Sequence, residues 1–477
     1  MTKKIVLLIH LAIFIALCFL AILTPGTGGG GDSLAHYFIS QNSWYDTYSM
    51  FRHWGKPFFV FFSSPFAQFG FVGIKIFNVL CGTLASYITF LVASKLNKNT
   101  SWFIPIIAFS APGLYVYLMS GLTEPFSALV CISSVYLLLT NKTAWGLILA
   151  SFLPFCRSEA QLFLFLFAGY ALLNNKWKYL PLLLTGYITY SIIGRLVHFD
   201  SFMWIFDIPY KSGKSPYGSG PWYHYIVRLM YMLATPAYLL FGLGLIKMCI
   251  RIFKEKKFWR GEFLLVHAMA IGLITAHSIV WALGVYASAG LERVMVVVFP
   301  FLWLIMLDGL NLFKDILSRI YKPLAFALPI IFIIGQYVFM QRSPHAHYYK
   351  GIATKLSVED KFLKDTVAPY IKKTYPNVNC FILEKPYLAI ELGFNPMNRA
   401  IRGDWDIINS DTMKLPQNEA LYIWDDKYPN TQYGASLEKA RNHPQLREVK
   451  EYNTENGWKF VIFEFIPIEE LTRLKGN

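Results

Sequence analysis

Nucleotide-binding and metal signatures are missing from this chain of 477 residues, which has no Walker loop, no HExxH helix and no zinc spacing of Cys and His, and whose one GxGxxG spelling, Gly26 to Gly31, follows a long apolar run and not a strand. That removes the commonest soluble routes to phosphate, hydride and metal-assisted hydrolytic chemistry. Charge is scarce too, with only 15% Asp, Glu, Lys and Arg, and the 29 acidic residues are outnumbered by 44 basic ones. A soluble domain of this size carries more. The six cysteines supply no framework: Cys18, Cys81, Cys131, Cys156 and Cys249 lie in or beside apolar stretches, and Cys380 stands alone in the polar C-terminal third. Neither a disulfide lattice nor a Cys-based metal centre is expected. No internal repeat is visible, which counts against the doubled halves common in transporters. What the chain has in abundance is hydrocarbon, with 55% hydrophobic and 17% aromatic residues and a mean hydropathy of +0.40. It reads as a polytopic membrane protein whose net charge of +15 sets topology from short loops. No nucleic-acid partner is expected.

Eleven hydrophobic crossings are predicted, giving a membrane all-α bundle. They are Ile5 to Thr24, Val72 to Ser94, Ser101 to Leu118, Pro125 to Thr140, Trp145 to Pro154, Ala160 to Leu173, Leu180 to Val197, Tyr225 to Ile250, Phe263 to Leu283, Val294 to Leu310 and Leu324 to Met340. The first is read as retained, because no small-x-small cleavage site follows it. Trp145 to Pro154 and Ala160 to Leu173 are short and meet at Arg157-Ser158-Glu159, a break tolerated where it faces protein or water. Lys3 and Lys4, Lys95 and Lys98, Lys142, Lys176 and Lys178, the run Arg251 to Arg260, and Lys314 to Lys322 fall on one side, which the positive-inside rule makes cytoplasmic. The C-terminus then lies outside. Lone Lys75 is expected to snorkel outward.

The loops assigned outside are the elaborate ones, which is where function concentrates. In the first, a glycine run, Gly28 to Gly31, delivers Asp32; Leu34 to Tyr48 reads as a short helix and Pro57 to Phe69 as an interfacial aromatic piece. From about Ser343 the composition turns soluble, so residues 1–342 form a membrane domain and 343–477 a small extracytoplasmic α/β domain. There Val358 to Lys373 and Ser436 to Asn442 read as helices, and Asn379 to Leu383, Ala420 to Trp424 and Trp458 to Phe465 as strands. Asp425-Asp426 reads as a strand-end turn.

Outside the cytoplasm there is no nucleotide pool, so a group-transfer enzyme there needs a donor already in the membrane, such as a polyprenyl-phosphate sugar. The chemistry requires a carboxylate within reach of an incoming hydroxyl, cationic groups to receive the departing phosphate and a groove for the isoprenoid tail. Asp32 is the candidate base; its alternative is a helix N-cap, and residue type alone leaves both open. His36 is placed as its hydrogen-bonding neighbour. Arg52, His53 and Lys56 form a basic cluster that meets either lipid headgroups or a donor phosphate. Glu124 opens a span from the outer side, where an acid is also ordinary helix capping. Arg157 and Glu159 sit between half-length helices, and Glu292-Arg293 starts another, with Arg293 the choice for a lipid-linked phosphate. Lys211, Lys214 and Tyr217 belong to a glycine-containing loop read first as a connector and second as a mobile lid.

In order and type these elements resemble the GT-C superfamily of polytopic glycosyltransferases. The match consists of Gly31-Asp32-Ser33 in the first external loop, Thr123-Glu124-Pro125 opening a helix, Arg157-Ser158-Glu159 between short helices, Glu292-Arg293, and the segments Leu421 to Asp426 and Phe460 to Glu464 of the C-terminal domain. The resemblance implies an inverting transfer from a polyprenyl-phosphate sugar to a glycan, lipid or protein acceptor. It also implies a bacterial inner-membrane location, a periplasmic active site and Asp32 in the role of the first-loop carboxylate. Two departures matter: relatives often carry Arg-Pro-Glu where Arg157-Ser158-Glu159 stands, and several branches carry two adjacent first-loop acids. No cofactor is expected to be obligatory; a divalent cation is admissible, and no metal ligands are assigned. The rival readings are a flippase for lipid-linked saccharide and a glycan ligase or polymerase.

Overall fold

The computed structural model describes residues 2–206, 213–398, 408–409, 415, 419–426 and 434–467. It divides into two compact units, one of residues 1–29 and 48–355, the other of residues 30–47 and 356–477. Most of the first external loop up to Thr47 thus folds with the C-terminal segment.

The first unit is helical. Among the described residues seven of its helices are long and apolar enough to cross a bilayer: Lys3–Leu23, Gly70–Lys95, Trp177–Val197, Thr235–Lys254, Lys256–Leu283, Glu292–Ile320 and Lys322–Arg342. An eighth is formed if the pair Ser101–Phe109 and Pro112–Leu118, bent by 75°, counts as one span. The bend falls where Pro112 removes a backbone donor and biases its predecessor away from helix. Three further segments expected to cross, here Glu124–Leu139, Thr143–Phe155 and Ser158–Leu173, are shorter apolar helices. The stretch read as one span from Tyr225 is two helices, His224–Leu233 and Thr235–Lys254, broken at Ala234 with φ of +72°. Lys75 does not snorkel. It is buried in Gly70–Lys95, and its Nζ donates to the carbonyl of Thr24 (2.8 Å), the residue that ends the first helix. An ammonium in an apolar span needs such a partner, and a helix C-terminus offers unsatisfied carbonyls.

Close packing here uses small residues. Gly244 on Thr235–Lys254 lies against Ile305, and Gly309 on the helix Phe299–Ile320 lies against Leu240. A Cβ at either would strike the facing backbone, so the two helices approach as membrane helices do where side chains are absent.

Among the described residues the second unit holds a four-stranded mixed sheet of β1 (Cys380–Leu383), β2 (Ala420–Asp425), β3 (Leu446–Asn453) and β4 (Lys459–Phe465) in the order β1-β2-β4-β3. β1 and β2 pair in parallel; β4 runs antiparallel to both β2 and β3. Ile382, Tyr422, Trp424, Val461 and Phe463 form its core with Leu446. The sequence reading missed β3, whose Leu-Arg-Glu-Val-Lys-Glu-Tyr-Asn is largely solvent-facing and charged, as suits a sheet edge. Asp426 extends the pairing of β2 with β4: its N donates to Lys459 O at 3.3 Å and its Oδ2 accepts from Lys459 N at 3.2 Å, while the residues that follow it lie outside the described ones. The helix expected from Val358 runs to Thr374 through a π-helical segment, Leu363–Val367.

Candidate functional site

The chemistry-bearing residues of the membrane unit converge on Glu124. It is the first residue of Glu124–Leu139 and fully buried. A carboxylate in a first helical turn faces unpaired backbone donors and the positive end of the helix dipole. The turn before it is held by Asn78, whose Nδ2 donates to the carbonyls of Ser120 (2.7 Å) and Leu122 (2.8 Å). Asn78 was not singled out in the sequence. Its only signal is an amide inside an apolar span, which in lipid marks a polar duty.

Two guanidinium groups reach Glu124. Arg157 pairs with it directly, and Arg293 Nε lies 3.4 Å from its Oε1. Arg157 stands in extended backbone, φ −156° and ψ 135°, between the 3-10 turns Leu153–Phe155 and Ser158–Ala160. That break lets its side chain leave the helix path. Its Nε also meets Glu159 Oε1 at 2.5 Å, and it donates to Thr123 Oγ1 at 3.2 Å. Lys56 enters from the first loop, buried, with its Nζ 3.0 Å from Ser158 Oγ. Burial pushes the Lys56 ammonium down to about 8, against the pull of the Glu159 and Glu124 carboxylates. Counting the five groups, three cations (Lys56, Arg157, Arg293) surround two carboxylates (Glu124, Glu159), a surplus of one positive charge. Glu124 is sealed at 0% side-chain exposure, while Arg157 and Arg293 keep 11% and 20%. The carboxylates therefore orient the guanidiniums, and the guanidiniums retain the open side. This arrangement is suited to receive an anion.

The other expected residues fall elsewhere. The Arg52, His53 and Lys56 cluster is split: Arg52 is exposed, and His53 packs on Trp204, with Nε2 2.9 Å from its carbonyl oxygen. Glu292 turns away from its neighbour Arg293 and accepts from Tyr349 Oη at 3.0 Å. Lys211 lies outside the described residues. Lys214 and Tyr217 are exposed; Lys214 pairs with Val285, Ser215 N donates to Gly284 O at 2.7 Å and Ser215 Oγ to Ser288 O at 2.6 Å. His277, from the span Lys256–Leu283, interacts electrostatically with Glu159 and was not anticipated.

Asp32 and His36 belong to the second unit, on the helix Gly31–Asn42. Asp32 is not its N-cap. That position is taken by Gly30, at φ +69° and ψ −138°, a conformation glycine adopts without strain, and Asp32 sits half-buried in the first turn. His36, one turn on, is buried. Among the described residues no group of three or more His, Cys, Asp or Glu side chains is arranged to hold a metal ion.

No protein-family model matches the chain, and no curated protein sequence does. Solved structures do. The crystal structure of ArnT from Cupriavidus metallidurans in the apo state matches with a TM-score of 0.65 at 11% identity. The same protein bound to undecaprenyl phosphate matches with a TM-score of 0.64 at 13% identity. Each alignment covers 96% of this chain and 97% of that one. At such identity the likeness is one of fold, and it extends over both units. The multi-span helical bundle with a small C-terminal domain expected from the sequence is seen here as seven or eight candidate spans and a small mixed sheet.

Proposed function

We propose that the chain moves a sugar from a polyprenyl-phosphate carrier to an extracytoplasmic glycan, lipid or protein acceptor, with inversion at the anomeric carbon. The observation that carries this reading is the cation-rich cluster of Lys56, Arg157 and Arg293, on a fold whose solved relative binds undecaprenyl phosphate. Asp32 takes the proton of the acceptor hydroxyl as its oxygen attacks the anomeric carbon. The bond from that carbon to the phosphate oxygen breaks, and the electron pair leaves with the prenyl phosphate. Arg157 and Arg293, held by Glu124 and Glu159, stabilise the charge that collects there. His36 steadies the Asp32 side of the reaction. The bundle crosses eleven times, with the N-terminus cytoplasmic and this chemistry on the outer face of a bacterial inner membrane. No obligatory metal takes part.

Membranes containing the protein, incubated with radiolabelled undecaprenyl-phosphate sugar and extracted acceptor, test this. A glycosyltransferase forms a new labelled product, and Asp32→Asn abolishes it while undecaprenyl phosphate still binds. A flippase only relocates label, and that outcome removes the proposal.

A further inference from the structure

Two spans of the membrane unit are broken, and one side chain ties the breaks together. The pair Ser101–Phe109 and Pro112–Leu118 bends by 75°, and Ala234 separates His224–Leu233 from Thr235–Lys254. Gln336, on the span Lys322–Arg342, is 2% exposed. Its Nε2 donates to Ser110 Oγ (3.1 Å) at the first break and to the carbonyl of Leu233 (3.2 Å) at the second. Its Oε1 is buried with no hydrogen-bond partner among the described residues. An amide in an apolar span is costly, the more so with one end unsatisfied, and what it supplies in return is these two bonds.

Ala234 shows what they hold. It is fully buried at φ +72° and ψ 151°, a region that only glycine enters without strain. The Leu233 carbonyl belongs to the planar peptide that precedes Ala234, so the bond from Gln336 fixes one side of the strained φ. Strain of this kind persists where the surroundings over-determine it.

Beyond the breaks, Pro112–Leu118 and His224–Leu233 pack on each other. Gly113 lies so close to Met232 that a Cβ there would come within 2.9 Å of the Met232 Cβ. Both half-helices also pack on the 3-10 turn Glu292–Val298, which carries Arg293. The first leads into the turn that Asn78 holds, and so to Thr123 and Glu124. The second carries Tyr225, whose ring meets that of His277 at 5.8 Å. Together they are one wall of the cluster formed by Glu124, Arg157 and Arg293. Resting on the reading of that cluster as the phosphate site, we propose that Gln336 is a positioning residue for it, holding both breaks and so seating the wall on which Arg293 and Thr123 depend.

The full chain in lipid nanodiscs tests this. One readout is undecaprenyl phosphate affinity; a second, which needs no ligand, is the distance between spin labels on cysteines replacing Val227 and Ile279, both exposed, in a Cys249→Ser background. Gln336→Leu is expected to weaken binding at least fivefold and to broaden the distance distribution. Adding Ala234→Gly removes the strain that the amide opposes and is expected to bring affinity back within twofold of the wild type and to narrow the distribution. Ser110→Ala removes one of the two bonds with little change in volume and is expected to weaken binding at least twofold, which keeps the test open should Gln336→Leu not fold. A lowered melting temperature with affinity and distances kept, or losses that Ala234→Gly does not restore, would make the amide ordinary packing between helices and overturns the proposal. Distances that respond in a protein that binds no undecaprenyl phosphate leave Gln336 assigned to the wall and remove the phosphate reading instead.

Discussion

At Lys56 two unfavourable features coincide. Its backbone lies at φ +65° and ψ +93°, and its side chain is buried. A non-glycine residue held there stores about 1–3 kcal/mol, and burying an ammonium adds a desolvation cost. Such a position is maintained when the surroundings over-determine it. The sign of the pH effect follows directly: burial holds the ammonium at about 8, so the cation is present at neutral pH and lost as pH rises through that value. Undecaprenyl phosphate affinity is expected to fall over that window, measured in nanodiscs from pH 6.5 to 9.5. Lys56→Met should lower affinity at pH 7 by roughly 10- to 100-fold, the worth of a charge-assisted hydrogen bond, and flatten the alkaline limb. An unchanged limb in Lys56→Met would show that another group is responsible. Lys56 was legible in sequence as a loop cation near an aromatic stretch, but its neighbours Arg52 and His53 were not separable from it. His53 is claimed by the Trp204 carbonyl, 151 residues away, and no local spacing encodes that choice. The Arg157 and Glu124 partnership was legible only as order along the chain.

At the scale of elements, the least legible feature is a charged node joining four of them. Lys98 Nζ meets Glu262 Oε1 at 2.6 Å and both oxygens of Asp308 at 2.7 Å. Arg251 adds a 2.8 Å bond to Glu262, and His267 Nε2 lies 3.8 Å from Asp308. These contacts span up to 210 residues of sequence, so each charge read alone looks like a loop or capping residue. The π-helical segment Trp259–His267 explains part of the geometry. Five residues apart, Glu262 and His267 would diverge by about 140° on an α-helix, whereas i→i+5 bonding brings them onto one side. The node is fully compensated, so removing a single member is worse than removing a matched pair. Lys98→Met removes the ammonium shared by Glu262 and Asp308, leaving Arg251 on Glu262 and Lys247 Nζ 3.8 Å from Asp308, and is expected to cost about 3 kcal/mol, seen as a clear fall in melting temperature in detergent. Lys98→Met with Asp308→Leu should melt above the single variant. If the two melt together, the carboxylates are not coupled through Lys98.

For the whole membrane unit, the same pairings bear on how many times the chain crosses. Lys98 is tied to Glu262, and Asn174 Nδ2 donates to the carbonyl of Arg260 at 2.7 Å. Residues 98 and 174 thus share one end of the bundle, and the chain between them must cross an even number of times. That stretch holds the bent pair and the three shorter helices Glu124–Leu139, Thr143–Phe155 and Ser158–Leu173. The bent pair crossing alone would make the count odd. At the opposite end, the Arg157 to Glu124 pair sets the break before Ser158 beside the start of Glu124–Leu139. Four crossings satisfy both sets of contacts, although a helix of 16 residues reaches only about 24 Å against a hydrocarbon core of about 30 Å. Protein packing around these helices accommodates the shortfall, since Glu124–Leu139 is mostly buried. Hydropathy and length alone could not settle this, because short spans shielded by neighbours look like soluble core helices. In a Cys249→Ser background, which removes the exposed native thiol, cysteines replacing Lys142, Lys178 and Lys256 are each expected to resist a membrane-impermeant thiol reagent in intact cells. A cysteine replacing Lys350, three long spans beyond Lys256, should react. Labelling at Lys142 with protection at Lys178 would mean that Glu124–Leu139 does not return the chain to the cytoplasm, and the eleven-span bundle would then give way to a re-entrant one.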